Sequence, residues 1–199
     1  MYVSDFDNNG TNDPIITYFK QNVEVPLVPK DDLVAQLPGL KKKFISYESY
    51  AEAGIDDLFT SEDLASSRQF KVNNLASGWF ENQGDLHFEF HPFPSEAQLA
   101  PVYSILTNDF NDDGKIDLLL GGNTEDVRNQ LGFLSANHGV YLEQNTEGAF
   151  IFRRRTDLTL LGQIRGLDLQ DLQDRSNLII VRKSGSIESR AILQANELD

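Results

Sequence analysis

With 199 residues, 40% of them hydrophobic, the chain is long enough to bury a sizeable core and too apolar to be a disordered polyacid. Its 17 Lys and Arg stand against 31 Asp and Glu, a formal charge of −14, which argues against a protein that grips the phosphate backbone of nucleic acid. Having no cysteine, it has no disulfide framework and no thiolate metal site, and no run of 18 apolar residues offers a helical membrane span.

Residues 1–4 read as the end of a strand that leads at once into an acidic loop. No basic-then-apolar leader is present, and a strand feeding such a loop is an odd place for a start, so residue 1 is expected to lie inside a longer parent protein. Residues 14–19 read as a strand rich in β-branched and aromatic side chains. From about residue 25 to about residue 70 the texture is helical. Asp31 or Asp32 is placed to cap a short helix that Pro38-Gly39 stops, and Ser49 and Glu52 have capping-box spacing. Tyr47, Tyr50, Ala51, Ile55, Leu58 and Phe59 recur at helical spacing and are expected to pack on a sheet. Lys41-Lys42-Lys43 reads as a solvated face. Residues 79–90 hold two apolar arms around Asn82-x-Gly84, a hairpin signature. Residues 102–106 and 116–120 are strands, Gly121-Gly122-Asn123 ends the second, 124–137 is a polar loop, and 140–152 is another hairpin. Residues 164–169 and 178–181 are expected as strands either side of a loop.

The chemistry lies in a nonapeptide that occurs twice. Asp5, Asp7, Asn9 and Asp13 stand at positions 1, 3, 5 and 9 of the first copy, and Asp109, Asn111, Asp113 and Asp117 at those of the second, with Gly10 and Gly114 at position 6. Each set holds three carboxylates and one amide, which repel unless a cation sits among them. Oxygen donors at 1, 3 and 5, a turn glycine at 6 and a backbone carbonyl at 7, here that of Thr11 or Lys115, suit Ca²⁺. Mg²⁺ suits the loops less well, because it usually keeps several waters. An EF-hand fits the loops poorly: position 12 is Ile16 or Leu120 rather than a bidentate Glu, and the flanks are strand-like. Two Ca²⁺ sites are therefore expected. A third copy has lost its donors, since Asp168 is followed by Gln170 and Leu172, and it is expected to be metal-free.

Catalytic signatures are missing. His87 and His91, four apart on a strand, are separated by about 13 Å and cannot both ligate one zinc. No nucleophile elbow, P-loop or dinucleotide fingerprint occurs. The chain therefore reads as non-enzymatic.

Repeat spacing suggests the architecture. Asp109 and Asp168 lie 59 residues apart, near the length of a four-stranded propeller blade, whereas Asp5 and Asp109 lie 104 apart. The excess of 45 matches the helical stretch. The expected fold is mainly β, a partial β-propeller of about three four-stranded blades with a helical insertion in the first. Its segments are 1–94 with the insertion at about 25–70, then 95–157, then a degenerate 158–199.

The loop, its following aliphatic strand and the Asn-x-Gly and Asn-x-x-Gly hairpins resemble the FG-GAP/VCBS repeat of integrin-α-like propellers. Residues 37–44, the helix after them and residues 97–102 are similar to the narrower group of bacterial VCBS proteins with ASPIC/UnbV regions. The resemblance implies a secreted, cell-surface or periplasmic protein whose propeller has seven or so blades. Three blades cannot close a ring, so this chain would be the C-terminal part of such a protein, completed by the parent's remaining blades. It also implies a calcium-stabilised interaction scaffold for a protein or glycan. The alternatives are part of a propeller enzyme acting on polysaccharide, or a purely structural component of a surface assembly.

Overall fold

A computed structural model describes residues 1–127, 132–172 and 175–193, without the side chains of residues 171 and 172. The fold is mainly β, as expected, and its strands form separate antiparallel sheets. Among the described residues these sheets make no closed barrel or propeller. Two compact units divide the chain, residues 1–74 and 75–199. The hairpin that the sequence reading placed in segment 1–94 belongs to the second unit.

In the first unit, β1 (Tyr2–Ser4) pairs with β2 (Asp13–Ile15) across the first acidic loop, and on its other edge with β5 (Arg68–Gln69). Residues 14–19, expected as one strand, break at Ile16. The second half becomes β3 (Thr17–Lys20), which forms its own hairpin with β4 (Val23–Pro26). Gln21 and Asn22 make the turn at φ +49° and +67°. That is the left-handed pair a two-residue hairpin demands, and no glycine announces it.

The helical stretch is real and short-jointed: α1 (Lys30–Gln36), α2 (Leu40–Lys43), α3 (Tyr47–Ala51), α4 (Ile55–Leu58) and α5 (Ser61–Ser66). The caps fall elsewhere than expected. Pro29, not Asp31 or Asp32, precedes α1. Ser46 accepts from the Ser49 N–H at 3.1 Å, so the Ser49/Glu52 box does not form. A reciprocal box forms instead at Thr60 and Asp63, each side chain accepting from the other's N–H. The hydroxyl and N–H of Thr60 hold the Asp63 carboxyl below its usual range. Leu33, Leu37, Phe44, Ala53, Ile55, Leu58, Phe59 and Leu64 from this stretch surround Ile15 of β2 and make the unit's core. Tyr47, assigned to the buried stripe, is 65% exposed. Its hydroxyl instead donates to Asp31.

The second unit begins with the hairpin β6 (Gly78–Gly84) and β7 (His87–Pro92). The chain reverses at Asp85 and Leu86, φ +48° and +63°, while Asn82 and Gly84 flank a bulge. The turn thus lies just beyond the Asn82-x-Gly84 motif. A 3-10 turn, Ser95–Gln98, leads into β8 (Val102–Asn108), β9 (Asp117–Gly122), β10 (Val140–Gln144) and β11 (Phe150–Arg153), which pair in chain order as one up-and-down sheet. β9 ends at Gly122 as expected, with Gly121 and Gly122 still paired opposite Ser104 and Val102, and Asn123 follows at φ +78°. A Cβ on Gly122 would stand 1.8 Å from the Pro101 carbonyl oxygen, so only glycine fits there. The polar loop carries an isolated bridge between Thr124 and Leu134, and its residues 128–131 lie outside the described residues.

Alternation along β9 and β10 sends side chains to two faces, and both faces are covered. Leu118, Leu120, Val140 and Leu142 meet Phe93 and Ala97, with Trp79 and Phe150 packed alongside. Leu119 and Tyr141 meet Leu158, Leu160, Ile164, Leu178 and Ile180. The last three of these belong to the sheet of β12 (Ile164–Leu172), β13 (Arg175–Arg182) and β14 (Glu188–Ala191). β12 and β13 pair continuously out to Leu172 and Arg175. Asp168 therefore sits within a strand rather than opening a loop; residues 173–174 lie outside the described residues.

Leu142 is fully buried in the doubly covered sheet. Leu142→Ala is expected to lower unfolding free energy by about 2–5 kcal/mol in urea denaturation. Leu86→Ala, at a turn residue 93% exposed, should change it by less than about 0.5 kcal/mol.

Candidate metal centre

Each acidic loop joins two antiparallel neighbours, β1 to β2 and β8 to β9. The two loops share a hydrogen-bond scaffold, bond for bond. The position 1 carboxylate accepts from the N–H groups of positions 5 and 6: Asp5 from Asn9 and Gly10 at 2.9 and 2.7 Å, Asp109 from Asp113 and Gly114 at 3.0 and 2.8 Å. Position 3 accepts from the N–H of position 5, Asp7 at 3.2 Å and Asn111 at 3.1 Å. Position 5 accepts from that of position 7, Asn9 from Thr11 at 2.8 Å and Asp113 from Lys115 at 2.9 Å. Position 9 reaches back to the N–H of position 2, Asp13 to Phe6 at 3.1 Å and Asp117 to Phe110 at 3.3 Å. Asn8 and Asp112 take φ +58° at position 4, and Gly10 and Gly114 take +87° and +83° at position 6. Asx residues tolerate the left-handed region at the first of these and glycine enters it freely at the second.

The donor sets then diverge. In the first loop Asp5, Asp7 and Asp13 each offer a carboxylate oxygen within 4.8 Å of the others. Oxygens sharing one Ca²⁺ at about 2.4 Å each lie no more than about 4.8 Å apart, so this set fits a hard cation. Asn9 Oδ1 and the Thr11 carbonyl are the remaining donors at positions 5 and 7. In the second loop position 3 is the amide Asn111, so its three carboxylates stand at positions 1, 5 and 9, and Asp109, Asp113 and Asp117 do not form such a cluster. Lys115 donates from Nζ to Asp113 Oδ2 at 2.6 Å. This hydrogen bond holds Asp113 below the usual carboxylate range and Lys115 above its own. The lysine expected to lend only a carbonyl brings a competing cation.

Position 9 is also the structural anchor. Asp117 is fully buried. It accepts from the Tyr141 hydroxyl at 2.6 Å and the Gln144 N–H at 3.0 Å, besides Phe110. Arg155 donates to the Phe110 carbonyl at 2.7 Å and pairs with Asp157 at 2.6 Å, with side chains 7% and 8% exposed. In the first loop Asp13 is buried too, and Gln36 of α1 donates to it at 3.4 Å. Sequence reasoning missed Tyr141, Arg155 and Gln36. The available signal was the phenylalanine at position 2 of both loops, Phe6 and Phe110, which packs on Phe59 and Tyr141.

Asp168 is brought to no donor cluster among the described residues. The histidines behave differently from one another: His91 lies in a second cluster with Glu81 and Glu89, and His87 does not.

The sequence matches no protein-family model, and no curated protein or solved structure matches it. The resemblance to FG-GAP/VCBS repeats accordingly rests on the sequence motifs alone.

Removing the Tyr141 hydroxyl leaves a buried carboxylate short of a donor. Tyr141→Phe should cost about 1.5–3 kcal/mol, the usual worth of a hydrogen bond to a charged group, in denaturant unfolding. Burial, and then the bond to Asp117, push the phenol above its ordinary value. An unfolded tyrosine loses its proton near pH 10, before the folded one does, so this contribution is complete below about pH 10 and fades above it. A pH series of melting curves should therefore show a shallower alkaline decline in Tyr141→Phe.

Proposed function

We propose that this chain is a calcium-stabilised, non-catalytic segment of an extracytoplasmic β-propeller that serves as a binding scaffold for a protein or glycan. The observation that carries the reading is the repeated nonapeptide, whose two copies hold the same hydrogen bonds and each join a pair of antiparallel strands. A turn scaffold alone requires the glycine and one or two Asx residues. It does not require three carboxylates in register twice.

The blade assignment draws support from β8–β11. Four strands pair in chain order, the acidic loop joins the first two, and packed layers cover both faces. Blades of a propeller stack in that way. On this reading the β6–β7 hairpin on one face and the β12–β14 sheet on the other are assigned to parts of the neighbouring blades.

The donor sets favour calcium of unequal affinity at the two loops. Asp5, Asp7, Asn9, Asp13 and the Thr11 carbonyl form the stronger site. Asp109, Asn111, Asp113, Asp117 and the Lys115 carbonyl form a weaker one, because Lys115 must release Asp113 first. Sites of modest affinity work in extracellular modules, which bind calcium at about 10⁻⁴–10⁻³ M. A location outside the cytoplasm follows from that reading.

Calcium is expected to raise the melting temperature relative to a chelated sample, by about 2.7 kcal/mol of stabilisation at a hundredfold excess over Kd. Asp5→Ala should remove most of the gain, and Lys115→Ala should strengthen the second site. Identical melting with calcium and with chelator would sink the metal assignment. In a separate test, immobilised protein should retain surface polysaccharide or envelope protein in calcium and release it in chelator. Turnover of the polysaccharide would overturn the non-catalytic part of the reading.

A further inference from the structure

A second donor cluster lies on the β6–β7 hairpin and shares no residue with either acidic loop. The register sets Glu81 opposite Glu89 and Trp79 opposite His91, so all four side chains share one face. Like charges directly opposite one another on antiparallel strands destabilise the pairing, yet nothing in the hairpin's turn requires either glutamate. The carboxylate oxygens of Glu81 and Glu89 and a ring nitrogen of His91 lie within 4.8 Å of one another. His91 Nε2–H donates to Glu81 Oε2 at 3.1 Å, which points that nitrogen into the gap.

Neighbouring side chains hold the donors in place. The Trp79 indole stacks on the His91 ring, with centroids 4.6 Å apart and planes at 21°. Trp79 is itself fixed edge-on against Phe150. Gln83 Nε2 donates to Glu89 Oε2 at 3.4 Å. An imidazole whose plane is set by stacking and two carboxylates, one of them oriented by an amide, make a mixed nitrogen and oxygen set. That set suits a borderline divalent ion such as Zn²⁺, whereas calcium takes oxygen alone.

We propose that Glu81, Glu89 and His91 form a zinc-class divalent metal site on the hairpin face, with the remaining coordination position open to water. The ion takes the place of the proton on His91 Nε2, leaving Nδ1 to carry the ring's hydrogen. It also relieves the repulsion between the two glutamates. Tetrahedral zinc ligands lie about 3.4 Å apart, and the exposed glutamates reach that spacing by adjusting their rotamers. His87 takes no part, since it lies four strand residues, about 13 Å, from His91. One histidine with a glutamate on its own strand and another across the pair supplies what two histidines on one strand cannot.

Trp79 is the chain's single tryptophan, so the site carries its own reporter. The test is titration of the whole chain with zinc chloride, with millimolar calcium present throughout to occupy any calcium loop. Calorimetry reads stoichiometry and affinity, and Trp79 emission reads location. One zinc per chain and a saturable change in emission are expected. Glu89→Gln, which leaves the Trp79 stack in place, and His91→Ala should each weaken binding about tenfold or more, as loss of a ligand does at least as much as loss of an outer-shell partner. His87→Ala should leave affinity unchanged, and circular dichroism should show each variant folded. Absence of zinc binding, or equal affinity in His91→Ala and the parent, would overturn the site. So would sensitivity to His87→Ala with insensitivity to Glu89→Gln. None of these results bears on the calcium loops, whose test is the melting shift in calcium.

Discussion

A buried carboxylate that must be fully hydrogen-bonded ties the acidic loop to the sheet. Asp117 lies at the start of β9 with no exposure to water, and an ionised group there is tolerated only because donors surround it. Those donors come from three places: the loop itself through Phe110, the next strand through Tyr141, and the end of that strand through Gln144. One side chain thus fixes the loop's closure, the register of β9 against β10 and the orientation of Tyr141 toward the second core. Arg155 completes the brace by gripping the Phe110 carbonyl while paired with Asp157.

The first loop solves the same problem with other material. Asp13 receives Phe6 from the loop and Gln36 from a helix, where the second loop uses a strand tyrosine. The helical stretch is therefore more than an appendage to the sheet. It supplies all but one of the buried residues in its unit's core and a donor to the anchoring carboxylate. A scaffold that keeps its turn chemistry while exchanging its packing partners explains why the loops coincide in hydrogen bonding and differ in charge. Lys115 marks that difference, neutralising Asp113 from within, where Thr11 at the equivalent position offers no charge.

Much of the local structure was legible because its causes are local. The nonapeptide's Asx and glycine positions encode turns through their own side chains, and both loops fold accordingly. The strands around residues 102–122 and 140–153 were legible from apolar runs, with bounds off by a few residues. The hairpin turns were harder. Gln21-Asn22 and Asp85-Leu86 adopt left-handed backbones without a glycine at either central position, because strand pairing on both sides imposes the twist. The capping errors have the same origin. Several Ser, Thr and Asp residues in residues 30–66 compete to cap, and packing of Leu33, Ile55 and Leu64 decides which ones do.

By itself the sequence determined that two loops present acids in register, that the fold is mainly β, and that one stretch in the first half carries the short helices. These follow from side-chain chemistry and short-range periodicity, which need no partner element. Only the tertiary structure decided which acids meet. Asp5, Asp7 and Asp13 converge at positions 1, 3 and 9, whereas the second loop has the amide Asn111 at position 3 and its Asp113 is paired with Lys115. Glu81, Glu89 and His91 meet because antiparallel register brings distant positions face to face. No spacing along one strand encodes that register, since it is set by how two strands align.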